Sequence, residues 1–356
     1  MKRLVQLIPF HHARDAAGSE VQMIEKIMIA AGWTTEVYAD EMDEELVGKT
    51  RLYSELDQEK LDDTLAVYHY CGWSKMTGNF IDLDCPKALI YHNVTPGQFF
   101  QPFDEHIAAA CDRGREQLNE LPDHVDLAIA HSDYSARELE KVGFDITRTI
   151  PFLFDKSRTN VKPDDKMMKR LEGPPVVMFV GRLVPNKAPD DFIRIAREYV
   201  KQGHPAARFV LVGKRRTLPA YSQMIENLLS NSGLTEEQLY ITDEISDAEL
   251  MACYKSASLF LSMSRHEGFC VPLLEAMRFG VPIAALARAA VPETLGDAGL
   301  LFDTTNTVKI AEMIAQTLED KELCNLLRNR GFRQLERYDT ERWSFVLRVL
   351  FEQMLV

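Results

Sequence analysis

Short aliphatic runs alternate with longer stretches of helical period along nearly the whole chain, and few folds satisfy that alternation. VVMFV at 176–180 and FVLV at 209–212 are apolar throughout and bounded by turn residues. Such runs read as strands buried on both faces, which need parallel neighbours and covering helices. The fold class expected is therefore α/β, with doubly wound, Rossmann-like sheets. In the first half, strands are expected near Leu4–Ile8, Thr35–Tyr38, Leu65–His69, Ala88–His92, Leu127–His131 and Thr147–Pro151. In the second half they are expected near Val176–Val180, Arg208–Val212, Leu239–Ile241, Leu259–Ser262, Pro282–Ala285 and Leu300–Phe302. Helices fall between them, notably Gly18–Ala31 and Tyr134–Val142, the latter flanked by Ser132 as N-cap and Gly143 as C-cap.

A chain of 356 residues exceeds what one hydrophobic core usually serves. The polar stretch DKSRTNVKPDDKMMKRLEGPP, 155–175, interrupts the alternation and marks a boundary. We expect an N-terminal domain over 1–165 and a C-terminal one over 166–339. The segment 340–356 places Trp343, Val346, Leu347, Leu350 and Met354 on one helical face, which should cross back and cap the first domain. Two such domains with their strands' carboxyl ends turned to a shared cleft would bind a ligand there.

A formal net charge of −13 argues against nucleic acid as a partner. The six cysteines form no CxxC pair and no metal-ligand spacing, which suits free thiols in a reducing compartment. The opening MKRLVQLIPFHH is broken by Gln6 and Pro9 and reads as a first strand rather than a leader. No run approaches 18 apolar residues. The expectation is a cytoplasmic protein, with peripheral association at the inner face of a membrane left open.

The chemistry concentrates in SRHEGFCVPLLEAMRFGVPIAAL, 264–286, where Glu267 and Glu275 stand eight positions apart. It reads as a tight turn, a helix and the next strand, with Glu267 before the helix and Glu275 in its first turn. Gly268 is expected at positive φ, bringing the backbone N–H groups of Phe269, Cys270 and Val271 to the helix mouth, where an anion would sit. Glu275 could accept both hydroxyls of a ribose, and Glu267 those of a second polyol. Equally, Glu275 could complement the helix dipole while Glu267 is solvated. GRLVPNK puts Gly181, Arg182 and Lys187 at the end of the strand 176–180, and LVGKRR puts Gly213, Lys214 and Arg215 at the end of the next. An Arg fork and Lys charges there suit a diphosphate held without metal, although solvated basic loops would read the same way.

GRLVPNK followed by EGFCVPLLEAM and GVPI resembles the donor domain of retaining glycosyltransferases of the GT-B architecture, family 4. The glutamates match its E-x7-E motif. The resemblance implies Arg182 and Lys187 on the diphosphate, Glu275 on the ribose, and Glu267 on the transferred sugar, with amides after Gly268 assisting. It also puts ITDEISDAEL beside the base, near Ile245. YHNVTPGQFF resembles the segment whose histidine, here His92, reaches the sugar; Asn93, Thr95 and Pro96 match the HN-x-TP subgroup of bacterial polysaccharide and O-antigen enzymes. In PFHHARDAAGSEV the family's Gly-Asp-Ala has become Arg14, Asp15 and Ala16, so that either Gly18 or Arg14 itself would contact phosphate. The implied reaction moves a hexose, mannose before glucose, from a nucleoside-diphosphate sugar (GDP-mannose before UDP-glucose) to a hydroxyl of a glycan or lipid-linked saccharide. It needs no cofactor and no metal. A non-catalytic sugar-nucleotide-binding subunit is the rival; a nicotinamide oxidoreductase is disfavoured, because neither first turn carries GxGxxG.

Overall fold

The computed structural model describes residues 2–13, 15–58, 60–155 and 159–356. Arg14 lies outside them. The chain divides into two compact units, one of Met1–Gly97, His106–Asp155 and Tyr338–Val356, the other of Gln98–Glu105 and Lys156–Arg337.

The first unit holds strands β1 (Arg3–His11), β2 (Thr34–Met42), β3 (Thr50–Leu52), β4 (Thr64–Tyr70), β5 (Lys87–Tyr91), β6 (Leu127–Ala130) and β7 (Thr147–Thr149). They form one parallel sheet in the order β3-β2-β1-β4-β5-β6-β7. Side chains alternate between its faces. Val5, Leu7, Tyr68 and Leu89 enter one core, and Leu4, Val67, Ile90 and Ile129 the other. The second core receives Ile24 and Met28 of the helix Ala16–Ala30, and Leu347 and Phe351 of the helix Thr340–Gln353, with Trp343, Val346, Leu350 and Met354 half-buried against it. Thr340 Oγ1 donates to Phe154 O at 2.9 Å, and Lys2 Nζ donates to Glu352 O at 3.3 Å across 350 residues of sequence.

The second unit contains β8 (Val176–Val180), β9 (Arg208–Val212), β10 (Leu239–Ile241), β11 (Ala257–Ser262), β12 (Ile283–Leu286) and β13 (Gly299–Phe302), parallel in the order β10-β9-β8-β11-β12-β13. In each sheet the strand order reverses beside the first strand, between β1 and β4 and between β8 and β11. Ligands of open α/β sheets bind at such reversals, outside the strands' carboxyl ends. The short segment 98–105 belongs to this unit: Phe100 and Phe103 pack on its core, Phe103 edge-on to Tyr221 with ring centroids 4.8 Å apart.

The doubly wound reading of both halves is correct. The strand β3 is an addition, and β1 and β2 run longer than their apolar runs. All six cysteines are free thiols, and among the described residues no helix is long and apolar enough to cross a membrane.

Candidate functional site

In the second unit the ends of β8 and β9 are pressed together. Gly181 N donates to Val212 O at 2.9 Å, and a Cβ on Gly213 (φ 154°) would collide with the Gly181 carbonyl. Arg182 and Lys214 emerge beside this contact, both exposed, and among the described residues no side chain pairs with either. Arg215 is different, being 3.2 Å from Glu226.

After Arg182 a single 3₁₀ turn, Pro185–Lys187, closes through Lys187 N donating to Val184 O at 3.0 Å. Asn186 fastens it to the loop after β11: its O accepts Arg265 N at 2.7 Å, and its Nδ2 donates to His266 O at 3.3 Å. That tie delivers Lys187 Nζ to Glu267 Oε2 in a close ion pair, joining residues 80 apart in sequence. The Lys187 and Glu267 side chains are only 22% and 8% exposed.

Beyond Glu267 the turn is held by its carbonyls, Glu267 O accepting Ala290 N at 3.2 Å and Phe269 O accepting Thr294 Oγ1 at 2.6 Å. The left-handed residue before the helix Val271–Arg278 is Cys270 (φ 76°), not Gly268. Burial, and then the Glu267 charge, push the Cys270 thiol well up, so it stays protonated. Glu275 sits in the second turn of the helix rather than the first, which removes the helix-dipole reading. Its Oε2 accepts the hydroxyl of Tyr254 at 2.6 Å. Tyr254, on the helix Asp247–Ser256, is buried; burial and then Glu275 keep its phenol a donor. Half-buried Ile245 packs on the same core, just before the capping box of Ser246 and Glu249.

In the first unit, period-two alternation carries the row Leu4, Val67, Ile90 and Ile129 forward to Gln6, His69, His92 and His131 at the sheet's carboxyl end. Glu20, one turn before Ile24, meets them from the helix Ala16–Ala30. Gln6 Nε2 donates to Val21 O at 3.1 Å, and His69 bridges Gln6 Oε1 and His92 Nε2, at 3.0 Å each. Glu20 Oε2 lies 3.0 Å from His131 Nε2 and 3.8 Å from His92 Nε2, while His131 Nδ1 donates to Ile150 O at 3.1 Å. Burial is the largest single influence on each, yet the attraction and hydrogen bond between the two, with their lesser neighbours, together outweigh it, so the Glu20 carboxyl is lowered and the His131 imidazole raised. Glu20, His69 and His92 each offer an atom within 4.8 Å of the others, a grouping that could hold a metal ion. His92 is followed by Asn93 in the left-handed region (φ 65°), whose Nδ2 donates to Glu138 at 2.7 Å. Asp15 caps the helix Ala16–Ala30, its Oδ1 accepting Gly18 N at 2.7 Å. The Gly18 amide is thereby occupied, and a Cβ there would meet the His12 carbonyl, so packing explains this glycine and a phosphate contact does not.

Residues 162–334 match the family model described as Glycosyl transferases group 1. The matched residues lie within the second unit. The chain is 33% identical over 113 residues to the O-antigen chain mannosyltransferase B of Escherichia coli, covering 32% of this chain and 30% of that one. It is 28% identical over 254 residues to the D-inositol 3-phosphate glycosyltransferase of Salinispora tropica, covering 67% of this chain and 50% of that one. The matches thus span half or less of these relatives' length. Among solved structures, the sucrose-phosphate synthase of Thermosynechococcus elongatus superposes with a TM-score of 0.76 at 19% identity over 99% of both chains. HepE of Anabaena, in complex with UDP-glucose, gives 0.75 at 16% identity over 99% of this chain and 100% of that one. The fold is the GT-B fold of two Rossmann-like units, and the group 1 match with its named relatives supports a glycosyltransferase.

Arg182, Lys187, Lys214, Ile245, Glu267 to Val271 and Glu275 fall inside the residues matched by the group 1 model; Arg14, Asp15, Gly18 and His92 lie outside them. Sequence reasoning missed Tyr254 and Asn186, which no local pattern marks. It also missed Gln6, Glu20 and His131, although histidines at or beside the ends of β1, β4, β5 and β6 were a signal.

Proposed function

We propose that the chain is a retaining, metal-independent hexosyltransferase, moving mannose before glucose from a nucleoside-diphosphate sugar to a hydroxyl of a glycan or lipid-linked saccharide. The observation that carries this is the Lys187–Glu267 ion pair, set beside the open cation Arg182. A diphosphate leaving group gains negative charge in the transition state. Arg182, Lys187 and Lys214 supply fixed positive charge where a metal would otherwise be needed. With a donor bound, Lys187 turns to phosphate and frees Glu267 to accept sugar hydroxyls, while Glu275 takes the ribose diol and Ile245 borders the base. The leaving phosphate then accepts the acceptor's proton on the same face, so no covalent nucleophile is required. The likeness to the mannosyltransferase over 113 residues supports mannose. His92, by the resemblance, meets a saccharide hydroxyl. A lipid-linked acceptor would bring the protein to the inner face of the membrane from the cytoplasm.

The test is transfer from GDP-mannose and UDP-glucose to lipid-linked saccharides, with the anomeric configuration of the product read by NMR. Nucleotide binding with no transfer to any acceptor would favour a non-catalytic sugar-nucleotide-binding subunit instead. Transfer should survive excess EDTA; abolition with recovery on added magnesium or manganese would overturn the metal-independent reading. Glu275→Ala should weaken nucleoside-diphosphate binding by about 1.5–3 kcal/mol, the worth of a hydrogen bond to a charged group. Because Glu275 also satisfies buried Tyr254, the substitution is paired with Tyr254→Phe to separate lost stability from lost affinity. Glu267→Ala should leave nucleotide affinity in place and damage transfer. Equal nucleotide affinity for wild type and Glu275→Ala, by calorimetry, would remove the ribose assignment.

A further inference from the structure

The buried chain of bonds in the first unit has a direction, and the direction fixes where protons sit. It starts at Val21 O, a carbonyl that can only accept. Gln6 therefore turns its amide NH2 to Val21 and its Oε1 to His69, since the flipped amide would set oxygen against oxygen. His69 Nε2 must carry a proton to donate to Gln6 Oε1. Burial first, and then the charges of His11 and His131, pull the His69 pKa down to about 3, so the ring is neutral and its Nδ1 is bare. A bare His69 Nδ1 3.0 Å from His92 Nε2 requires the proton on His92 Nε2. Glu20 Oε2, 3.8 Å from that nitrogen, favours the same arrangement. His92 too is held neutral, chiefly by burial, with the neighbouring His131 and His69 adding to it against Glu20. Its Nδ1 is then a lone pair, and no described residue bonds to it.

We propose that Gln6 and His69 are positioning residues that hold His92 as the neutral Nε2–H tautomer, so that it offers Nδ1 as an acceptor to a saccharide hydroxyl. The tautomer follows from the bond chain with a neutral, buried His69 in it; its use on a saccharide rests on the function proposed above. A divalent ion among Glu20, His69 and His92 would have to displace the proton between the two facing ring nitrogens, so the hydrogen-bonded tautomer and a metal are mutually exclusive occupants of this cluster.

The test is long-range ¹H–¹⁵N correlation on the full chain labelled at histidine, with His92 assigned by its loss in His92→Gln. Wild type should show His92 with Nε2 protonated and Nδ1 bare. Gln6→Leu, which keeps size and removes the acceptor, should give a mixture of tautomers with the circular dichroism unchanged, and should lower kcat/KM about tenfold, as loss of one hydrogen bond does. His92 protonated on Nδ1 in wild type would overturn the proposal even if no variant folds, as would a Gln6→Leu spectrum identical to wild type. Stoichiometric Zn²⁺ binding that removes the Nε2 proton would overturn it in favour of a metal site. Absence of transfer in wild type with the expected tautomer present would defeat the proposed function and leave the positioning intact.

Discussion

Lys187→Ala is expected to lower kcat by about 10²–10³-fold, the scale of losing one preorganised charge donor. Lys187 is not on a free loop. Its turn is pinned at both ends, by Val184 within the 3₁₀ turn and through Asn186 to Arg265 and His266. The backbone that carries the ammonium is thus fixed before substrate arrives, and the ammonium has only to turn from Glu267 to the phosphate, so that little reorganisation remains when charge develops on the leaving group. The substitution has a second consequence, because it strands Glu267, whose side chain is 8% exposed, as a buried unpaired carboxylate. Such a group costs several kcal/mol when its partner is removed. The double substitution Lys187→Ala with Glu267→Gln isolates the stability part: the neutral amide should recover thermal stability, while kcat, which draws on both residues, stays low. A kcat for Lys187→Ala within about threefold of wild type would take Lys187 out of the chemistry, since one donor is worth far more.

The first unit should lose stability steeply in acid. His69 and His92 are neutral in the fold, with pKa values depressed below the ordinary 6.5 chiefly by burial. The unfolded chain therefore binds more protons than the folded one once the pH falls below about 6.5, and stability declines by about 1.4 kcal/mol per pH unit for each such histidine. From pH 6.5 to 5 that is about 2 kcal/mol for His69, whose folded value lies at about 3, and His92 adds a loss of the same sign. Glu20, lowered by His131 in spite of burial, adds a further loss below its unfolded value of 4.5. His131 works in the opposite sense. Its raised pKa gives stability that is complete below 6.5 and lost as the pH rises through its folded value, so it does not offset the acid loss. The measurement is the urea midpoint from pH 7 to 5, followed by tryptophan emission. The three tryptophans, Trp33, Trp73 and Trp343, all belong to the first unit and report it alone. A midpoint unchanged over that range would show these histidines to be solvated.

How much of this was legible depended on the range of the interaction. The strands Val176–Val180, Arg208–Val212 and Leu239–Ile241 have the expected bounds because each is an apolar run ended by turn residues. Thr50–Leu52 escaped because three edge residues with exposed Arg51 and Leu52 have no period to detect. Ser132 and Gly143 were readable as caps because capping is local: Ser132 Oγ accepts Ser135 N at 3.1 Å, and Gly143 is left-handed. The turn at 268–270 misled, since glycine is the usual left-handed residue and the strain falls on Cys270 instead. In the candidate site, the types Arg182, Lys187, Glu267 and Glu275 were visible as charges at strand ends. What each touches was not. Lys187 meeting Glu267, and Tyr254 meeting Glu275, depend on which strands are neighbours, and the order β8-β11 places residues of distant segments together. Gln6 looked like a flaw in an apolar run; only the sheet shows that it begins a row of polar residues ending at His131.

The helix Thr340–Gln353 has a bearing on synthesis. Leu347 and Phe351 complete the core that Leu4, Ile24 and Val67 begin, and Lys2 meets Glu352 across 350 residues. A nascent chain leaving the ribosome from its N-terminus will have made the whole of β1 to β7 while that apolar face still lacks its cover. The second unit, apart from the short 98–105 segment, is one uninterrupted stretch and can close as soon as it emerges. The half translated first is thus the half that finishes folding last, and in that interval its open face is a natural client for a chaperone.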